Sequence, residues 1–271
     1  MIGARRALAV ALAAAAASCA PPSMKLPSGP GAPAALADTL PAWRDATGGC
    51  AGIRTLTAEV AVTGTTGGQR VRVHLLAGVA APSSVRLEAT APFGAPVFIF
   101  VASAGEATLL LPRDNRVLEH GRPEAVLDAV AGLPLGVGDL DRALSGCAGA
   151  DGEPRDAVRF GDGWLRVTTA AGATAYLNRV GTAWRLSAAA MGPWRIEYPD
   201  RRDGVPAAMR LVSLEPQGAD PGRRFDLRLA LSQIETNVPL EAAAFRVDVP
   251  PAAVPITLDD LRHARPGVRE D

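Results

Sequence analysis

The chain has 271 residues, with Lys+Arg and Asp+Glu both at 28 and a formal net charge of zero. That balance leaves no net positive charge to hold a polyanion, which argues against a nucleic-acid binder. The three cysteines form no Cys-x-x-Cys motif and no Cys/His cluster, so neither a metal site nor thioredoxin-type redox chemistry is indicated.

In chain order, Arg5 and Arg6 precede an uninterrupted apolar stretch, Ala7 to Ala17, and the small residue Ser18 stands before Cys19. This is the order of a secretory signal, expected over residues 1–18. The stretch falls short of the roughly 20 residues a membrane-spanning helix needs. Ala16-Ala17-Ser18-Cys19 resembles the lipobox of bacterial lipoproteins. That resemblance implies cleavage before Cys19 and acylation of its sulfur and new N-terminus. The alternative is an ordinary signal peptide cleaved nearby, with Cys19 incidental. At roughly 0.8 kcal/mol per buried methylene, several acyl chains make a durable anchor. Ala20, directly after the cysteine, resembles signals for outer-membrane sorting. Residues 19–33 are rich in Pro, Ser and Gly and read as a lipidated, extended tether. Residues 34–271 are then expected to form a single domain.

Leu36, Leu40 and Trp43 suit a short amphipathic helix within 34–47, ended by Gly48-Gly49. Segments of period two follow. "QRVRVHLL" sets Val71, Val73 and Leu75 against Arg70, Arg72 and His74, and "SVRLEAT" sets Val85, Leu87 and Ala89 against Arg86 and Glu88. "FDLRLALSQI" sets Leu227, Leu229 and Leu231 against Arg228, Ala230 and Ser232. Each reads as an antiparallel strand with one dry face. Further strands are predicted at 54–63, 97–102, 106–111, 115–119, 155–160, 163–169, 173–180, 183–189, 193–199 and 206–214. Turn signals such as Gly67-Gly68, Asp162-Gly163 and Asp203-Gly204 separate them. Two helices interrupt the meander: "RPEAVLDAVAGLP", with Pro123 in its first turn, and "GVGDLDRALSG", with Asp139 as cap and Gly146 as stop. A last helix is predicted from Thr257 to His263, with Thr257 as N-cap. The expected fold is mainly β (α+β): one curved antiparallel half-barrel of about 11–12 strands closed by helices.

With Cys19 assigned to lipid, Cys50 and Cys147 remain, either as a disulfide in an oxidising compartment or as two separate buried thiols. "VFIFVA" is continuously apolar, with Phe98 and Phe100 on one side and Val97, Ile99 and Val101 on the other. It reads either as a strand lining a lipid cavity or as one in an ordinary two-sided core.

The central stretch "TAPFGAPVFIFVASAGEATLLLPRDNRVLEHG", the following "AVAGLPLGVGDLDRALSG" and the late "FRVDVPPAA" together resemble the LolB branch of the LolA/LolB-like lipoprotein carriers. The resemblance runs from about Arg54 to Pro250. It implies an incomplete antiparallel barrel closed by helices over an apolar cavity. It places Pro92-Phe93-Gly94 at a protruding loop, with Phe93 where the family carries an exposed Leu that aids delivery to the membrane. It sets Leu133-Pro134-Leu135, Leu140, Leu144 and Gly146 on the lid-helix pattern. The cavity lining expected on this basis is Phe98, Phe100, Leu109, Leu111, Leu133, Leu135, Leu140, Leu144, Leu227, Leu229 and Leu231. A rival reading of Phe93 folds it back on the sheet edge as a core plug.

For catalysis the sequence offers no Gly-x-Ser-x-Gly elbow, no His-Glu-x-x-His and no phosphate-binding Gly loop, and its histidines, His74, His120 and His263, are widely spaced. The expectation is a non-enzyme without cofactor or metal, lipid-anchored in the cell envelope at the outer membrane and facing the periplasm. Its partners would be acyl chains of lipoproteins or lipids, the membrane, and a periplasmic carrier protein. The alternative is a non-catalytic structural or interaction lipoprotein of an envelope complex.

Overall fold

The computed structural model describes residues 24–91, 93–214 and 221–263. The signal segment, Cys19 and Pro92 lie outside them. The first part of the chain comprises β1 (Ala32–Pro33), α1 (Leu36–Thr47), β2 (Thr55–Thr66), β3 (Gln69–Ala80), β4 (Ser84–Thr90), β5 (Phe98–Ser103), β6 (Glu106–Leu111) and β7 (Arg116–Gly121). Two helices follow, α2 (Pro123–Ala131) and α3 (Val137–Ser145). A second meander runs through β8 (Pro154–Phe160), β9 (Trp164–Thr169), β10 (Thr174–Val180), β11 (Ala183–Met191), β12 (Trp194–Arg202), β13 (Val205–Ser213) and β14 (Phe225–Thr236). The chain then crosses to β15 (Val254–Pro255) and α4 (Leu258–His263).

All these strands form one 15-stranded sheet in the order β1-β8-β9-β10-β11-β12-β13-β14-β2-β3-β4-β5-β6-β7-β15. The two meanders meet where β14 pairs antiparallel with β2, and the sheet stays open between β1 and β15. The strand count exceeds the expected 11–12. Part of the excess is β1 and β15, whose two residues each are too short to show a periodicity. β1 also puts Ala32 and Pro33, the end of the Pro-rich stretch, on the sheet edge opposite Arg159 and Val158.

Alternation along the strands decides which face is dry. On β2, Leu56, Ala58, Val60 and Val62 are buried on the concave side, while Glu59 and Thr63 face water. The opposite convex face of β12–β14 carries an ion network. Glu197, only 1% exposed, lies 2.8 Å from Arg195 and 3.5 Å from Arg210. Arg210 in turn grips Asp226 with two hydrogen bonds of 2.8 and 2.7 Å, which hold the Asp226 carboxyl below the usual carboxylate range.

Helices fill the concave side. α1 packs on β8, β10 and β11, burying Trp43, and its Asp45 accepts the Trp184 backbone N–H at 2.6 Å. α2 begins with Pro at a first-turn position, where its missing N–H costs nothing. α2 and α3 end in the left-handed residues Gly132 (φ 67°) and Gly146 (φ 77°), a conformation that favours glycine. Asp139 is not the N-cap of α3. Gly136 occupies that place, and Asp139, three residues on, accepts the Gly136 N–H at 3.0 Å. Thr257 and Asp260 cap α4 reciprocally, through bonds of 2.9 and 3.2 Å.

Candidate functional site

The other half of the concave face is covered less completely. Between β2–β6, β12–β14 and the α2–α3 pair lies a cavity of about 200 Å³. Leu127 and Val130 of α2, and Leu140, Ala143 and Leu144 of α3, face it at helical spacing. The linker contributes Leu133 and Leu135, brought to the wall by a tight turn at Pro134 in which Leu135 N–H reaches Leu133 O at 2.8 Å.

The strands supply the floor: Phe98 and Phe100 of β5, Leu109 of β6, Leu227 and Leu229 of β14. Two other expected residues stand elsewhere. Leu111 and Leu231 are buried in the core but do not line the cavity, because parity fixes a residue's face and not its position along the strand. Val97, expected on the opposite side from Phe98, also lines the cavity, since it precedes the strand that begins at Phe98. The sequence reading missed Val60, Val62, Val71, Val73, Leu75, Ile196, Met209 and Leu211, all lining. Their alternation was visible, but only as generic core.

Nearly every wall group is apolar. Among the described residues, the polar side chains at the cavity are Thr66, Gln69 and Arg70, all from the β2–β3 hairpin, and this marks the end that faces water. Registers put other segments at that same end: the β4–β5 loop, since Ala89 pairs with Phe98; the β6–β7 turn, since Leu111 pairs with Arg116; and the β13–β14 connection, since Phe225 pairs with Thr66. Phe93 sits in the β4–β5 loop with its side chain 90% exposed. Arg113 fixes that loop by donating to Phe93 O at 3.3 Å and Ala95 O at 3.1 Å.

The two lid helices are held unequally. A Cys50–Cys147 disulfide spans a sequence separation of 97 and ties the segment after α1 to the residue after Gly146. Beside it, Arg201 donates to Gly146 O at 2.8 Å and Leu186 O at 3.0 Å, with its guanidinium 4.8 Å from the Tyr198 ring centroid. The Tyr198 hydroxyl receives the Ala148 N–H at 3.3 Å, and burial holds this phenol well above its ordinary pKa. At the mouth, by contrast, Thr66 Oγ1 donates to Ala131 O, the end of α2, at 2.9 Å.

Among the described residues, the lining offers hydrophobic contact and no carboxylate, imidazole or thiol. His74 lies on the exposed face of β3. His120 pairs with Glu106 at 2.9 Å, which raises its pKa through that hydrogen bond. His263 meets Asp259 O. Among the described residues, no group of three or more His, Cys, Asp or Glu is placed to hold a metal ion, and no helix is long and apolar enough to cross a membrane.

No family model matches the chain, and no curated protein matches its sequence. Solved structures do. A LolA superfamily protein from Nitrosomonas europaea aligns with a TM-score of 0.50 at 10% identity, over 79% of this chain and 97% of that one. The fold is LolA-like. A domain named for outer membrane lipoprotein sorting, from Vibrio parahaemolyticus, gives 0.47 at 10% identity over 78% and 95% of the two chains. A DUF1329 family protein from Desulfovibrio piger gives 0.45 at 13% identity over 72% and 90%. In this LolA-like fold the cavity occupies the space between the curved sheet and its helical cover.

Proposed function

We propose that this chain is a lipid-anchored, LolB-like carrier that accepts acyl chains of lipoproteins or lipids in its cavity and delivers them to a membrane. In this reading residues 1–18 are a signal, Cys19 carries the lipid, the Pro-rich residues from there to β1 are the tether, and β1 onward is the carrier domain. The anchor would sit in the outer membrane facing the periplasm, with a periplasmic carrier as donor. The observation that carries the reading is an almost wholly apolar cavity whose water-facing end also bears the exposed Phe93. Apolar surface of this kind is costly to leave wet and marks a binding site.

The cavity of about 200 Å³ lies below the roughly 300–1,000 Å³ of ordinary ligand pockets. A long chain therefore needs the cover to move outward. The less tightly held α2 end and the 132–136 linker are the parts suited to do so. Transport of this kind makes and breaks no bond, and so asks nothing of the lining beyond apolar area and a movable lid.

The test is lipid extraction and native mass spectrometry of protein purified from membranes. Co-purified acyl lipid, lost in Leu229→Asp, supports the reading. Lipid-free protein that also fails to take up a fluorescent fatty acid would end it and favour a structural envelope lipoprotein. Metabolic fatty-acid labelling addresses the anchor: equal label in the wild type and Cys19→Ala sinks the assignment of Cys19.

A further inference from the structure

The convex face of the sheet carries a second cavity, of about 580 Å³, toward the end away from the apolar mouth. Outward residues of β2, β3 and β4 form its floor. In one row Glu59 pairs with Leu76 and Leu76 with Glu88; in the next Thr57 pairs with Gly78 and Gly78 with Arg86. On the β14 side a bulge, with Gln233 at φ 50°, brings Ile234 and Glu235 to the wall. The opposite wall is the crossover from β14 to β15, which contributes Leu240 and the buried Phe245.

That crossover is fastened along its length. Thr55 Oγ1 donates to Val238 O at 2.6 Å, and Arg86 donates to Ala244 O at 3.2 Å and to Arg246 O at 3.1 Å. The space beneath it exists because β3 has a glycine there. A glycine inside a strand forgoes side-chain packing and marks a place of close approach, and a Cβ on Gly78 would meet no atom within 4 Å. Beside this gap the outward side chain of Leu76 is left 45% exposed.

The volume lies within the roughly 300–1,000 Å³ of small-ligand pockets, and the lining sets the sign of the ligand. Three carboxylates, Glu59, Glu88 and Glu235, face one guanidinium, that of Arg86. Arg86 is already committed, to Glu88 at 3.1 Å and to the two crossover carbonyls. Glu59 and Glu235 are exposed, and among the described residues no cation lies within ion-pair distance of either. His74 is the adjoining outward residue of β3, and the other charges on the crossover and its flank, Arg54, Glu241, Arg246 and Asp248, balance one another outside the lining. The uncompensated charge is therefore negative. It does not suit a metal, because among the described residues no three His, Cys, Asp or Glu are grouped to hold one. Its complement is a cation whose body also covers Leu76, Ile234 and Leu240.

We propose that this cavity binds a small organic cation, an ammonium or guanidinium carried on an apolar body. The head lies between Glu59 and Glu235, and the body rests over Gly78 against Leu76, Ile234 and Leu240. The site is on the opposite face of the sheet from the apolar cavity, and it stands independently of the carrier reading.

The experiment is a titration of the isotope-labelled chain with phenethylammonium, followed in amide correlation spectra, with 3-phenylpropanoate as a probe of like shape and opposite charge. Phenethylammonium should shift amides of 57–59, 76–78, 86–88 and 233–235 in a saturable way, whereas 3-phenylpropanoate should not. Amides of 98–100 and 133–140, beside the apolar cavity, should stay in place. Gly78→Val fills the floor with a side chain that suits a strand and should abolish binding without loss of Tm. Glu59→Gln combined with Glu235→Gln should weaken binding roughly tenfold, and high salt should act in the same direction. Should Gly78→Val melt early, the paired glutamine variant decides alone. Equal shifts with both probes, shifts confined to the apolar cavity, or unchanged affinity in the paired variant each overturn the proposal.

Discussion

Removing the Cys50–Cys147 bridge is the most quantifiable perturbation of this fold. The sequence separation is 97, and the chain-entropy relation gives about 4.7 kcal/mol for a loop of that size at 25 °C. Cys147 is buried and Cys50 is half-buried, so Cys50→Ala with Cys147→Ala leaves no large cavity and the entropic effect should dominate. For a domain of this size each kcal/mol moves Tm by roughly 2–4 °C, so the double variant should melt roughly 10–20 °C lower. Wild-type protein unfolded with a reductant present should show a similar loss. Thermal melts followed by circular dichroism make the comparison, and peptide mapping without reduction checks that the wild type is bridged. A drop under about 2 °C in the double variant would mean that the bridge does not constrain the unfolded chain, and would refute the argument.

Phe93→Glu should leave Tm nearly unchanged, within the roughly 0.5 kcal/mol typical of exposed sites, while reducing transfer of a fluorescent lipid from the protein to liposomes; a large loss of stability would show the ring to be structural. Thr66→Val removes the hydrogen bond to Ala131 O, worth about 0.5–1.5 kcal/mol. It should speed fatty-acid entry in stopped flow with little change in Tm, and unchanged entry would remove this bond as a latch. Asp226 has a lowered folded pKa, caused first by its hydrogen bonds to Arg210, against desolvation and with help from the Arg210 and Arg228 charges. The sign follows: its stabilisation is fully present above the unfolded value near 3.9 and is lost as pH falls through the folded value. Melts taken through the acid range should decline below about pH 4, and Arg210→Gln should flatten that decline; parallel curves would contradict the assignment.

The long strands were legible because their apolar residues alternate with Arg, Glu and Thr, as in β3, where Val71, Val73 and Leu75 face in and Arg72 and His74 face out. The edge strands were not, since the Ala32–Pro33 and Val254–Pro255 pairings depend on backbone groups of β8 and β7 that no local pattern reveals. The continuous run at β5 makes sense only in three dimensions. Phe98 and Phe100 line the cavity, and on the β4–β5 side the short helix at Ala242–Phe245 comes into contact with the sheet. Phe93 stood out as a large aromatic between a proline and a glycine. The segments that share its end of the sheet did not, because the β2–β3 hairpin, the β6–β7 turn and the β13–β14 connection are far apart in the chain and only the sheet order brings them together.

The same alternation that builds the core also builds the cavity, so the difference between them must come from the cover. Under α1 the inward residues of β9, β10 and β11 are sealed: Leu165, Val167, Ala175 and Leu177 are 0% exposed and Leu186 is 1% exposed. α1 is 12 residues long and sends Trp43 into that half. The other half is wider, spanning β12–β14 and β2–β6, yet its cover is two helices of 9 residues each, joined by a short linker. Val71, Val73, Leu75, Phe98 and Leu229 therefore remain half-buried, although they are as apolar as their counterparts under α1. A core would not leave such surface unfilled, because each lost contact subtracts from stability. Its persistence beside an α3 tied through Cys147 and an α2 whose end is bonded to Thr66 marks this half of the concave face as a cavity and not as core.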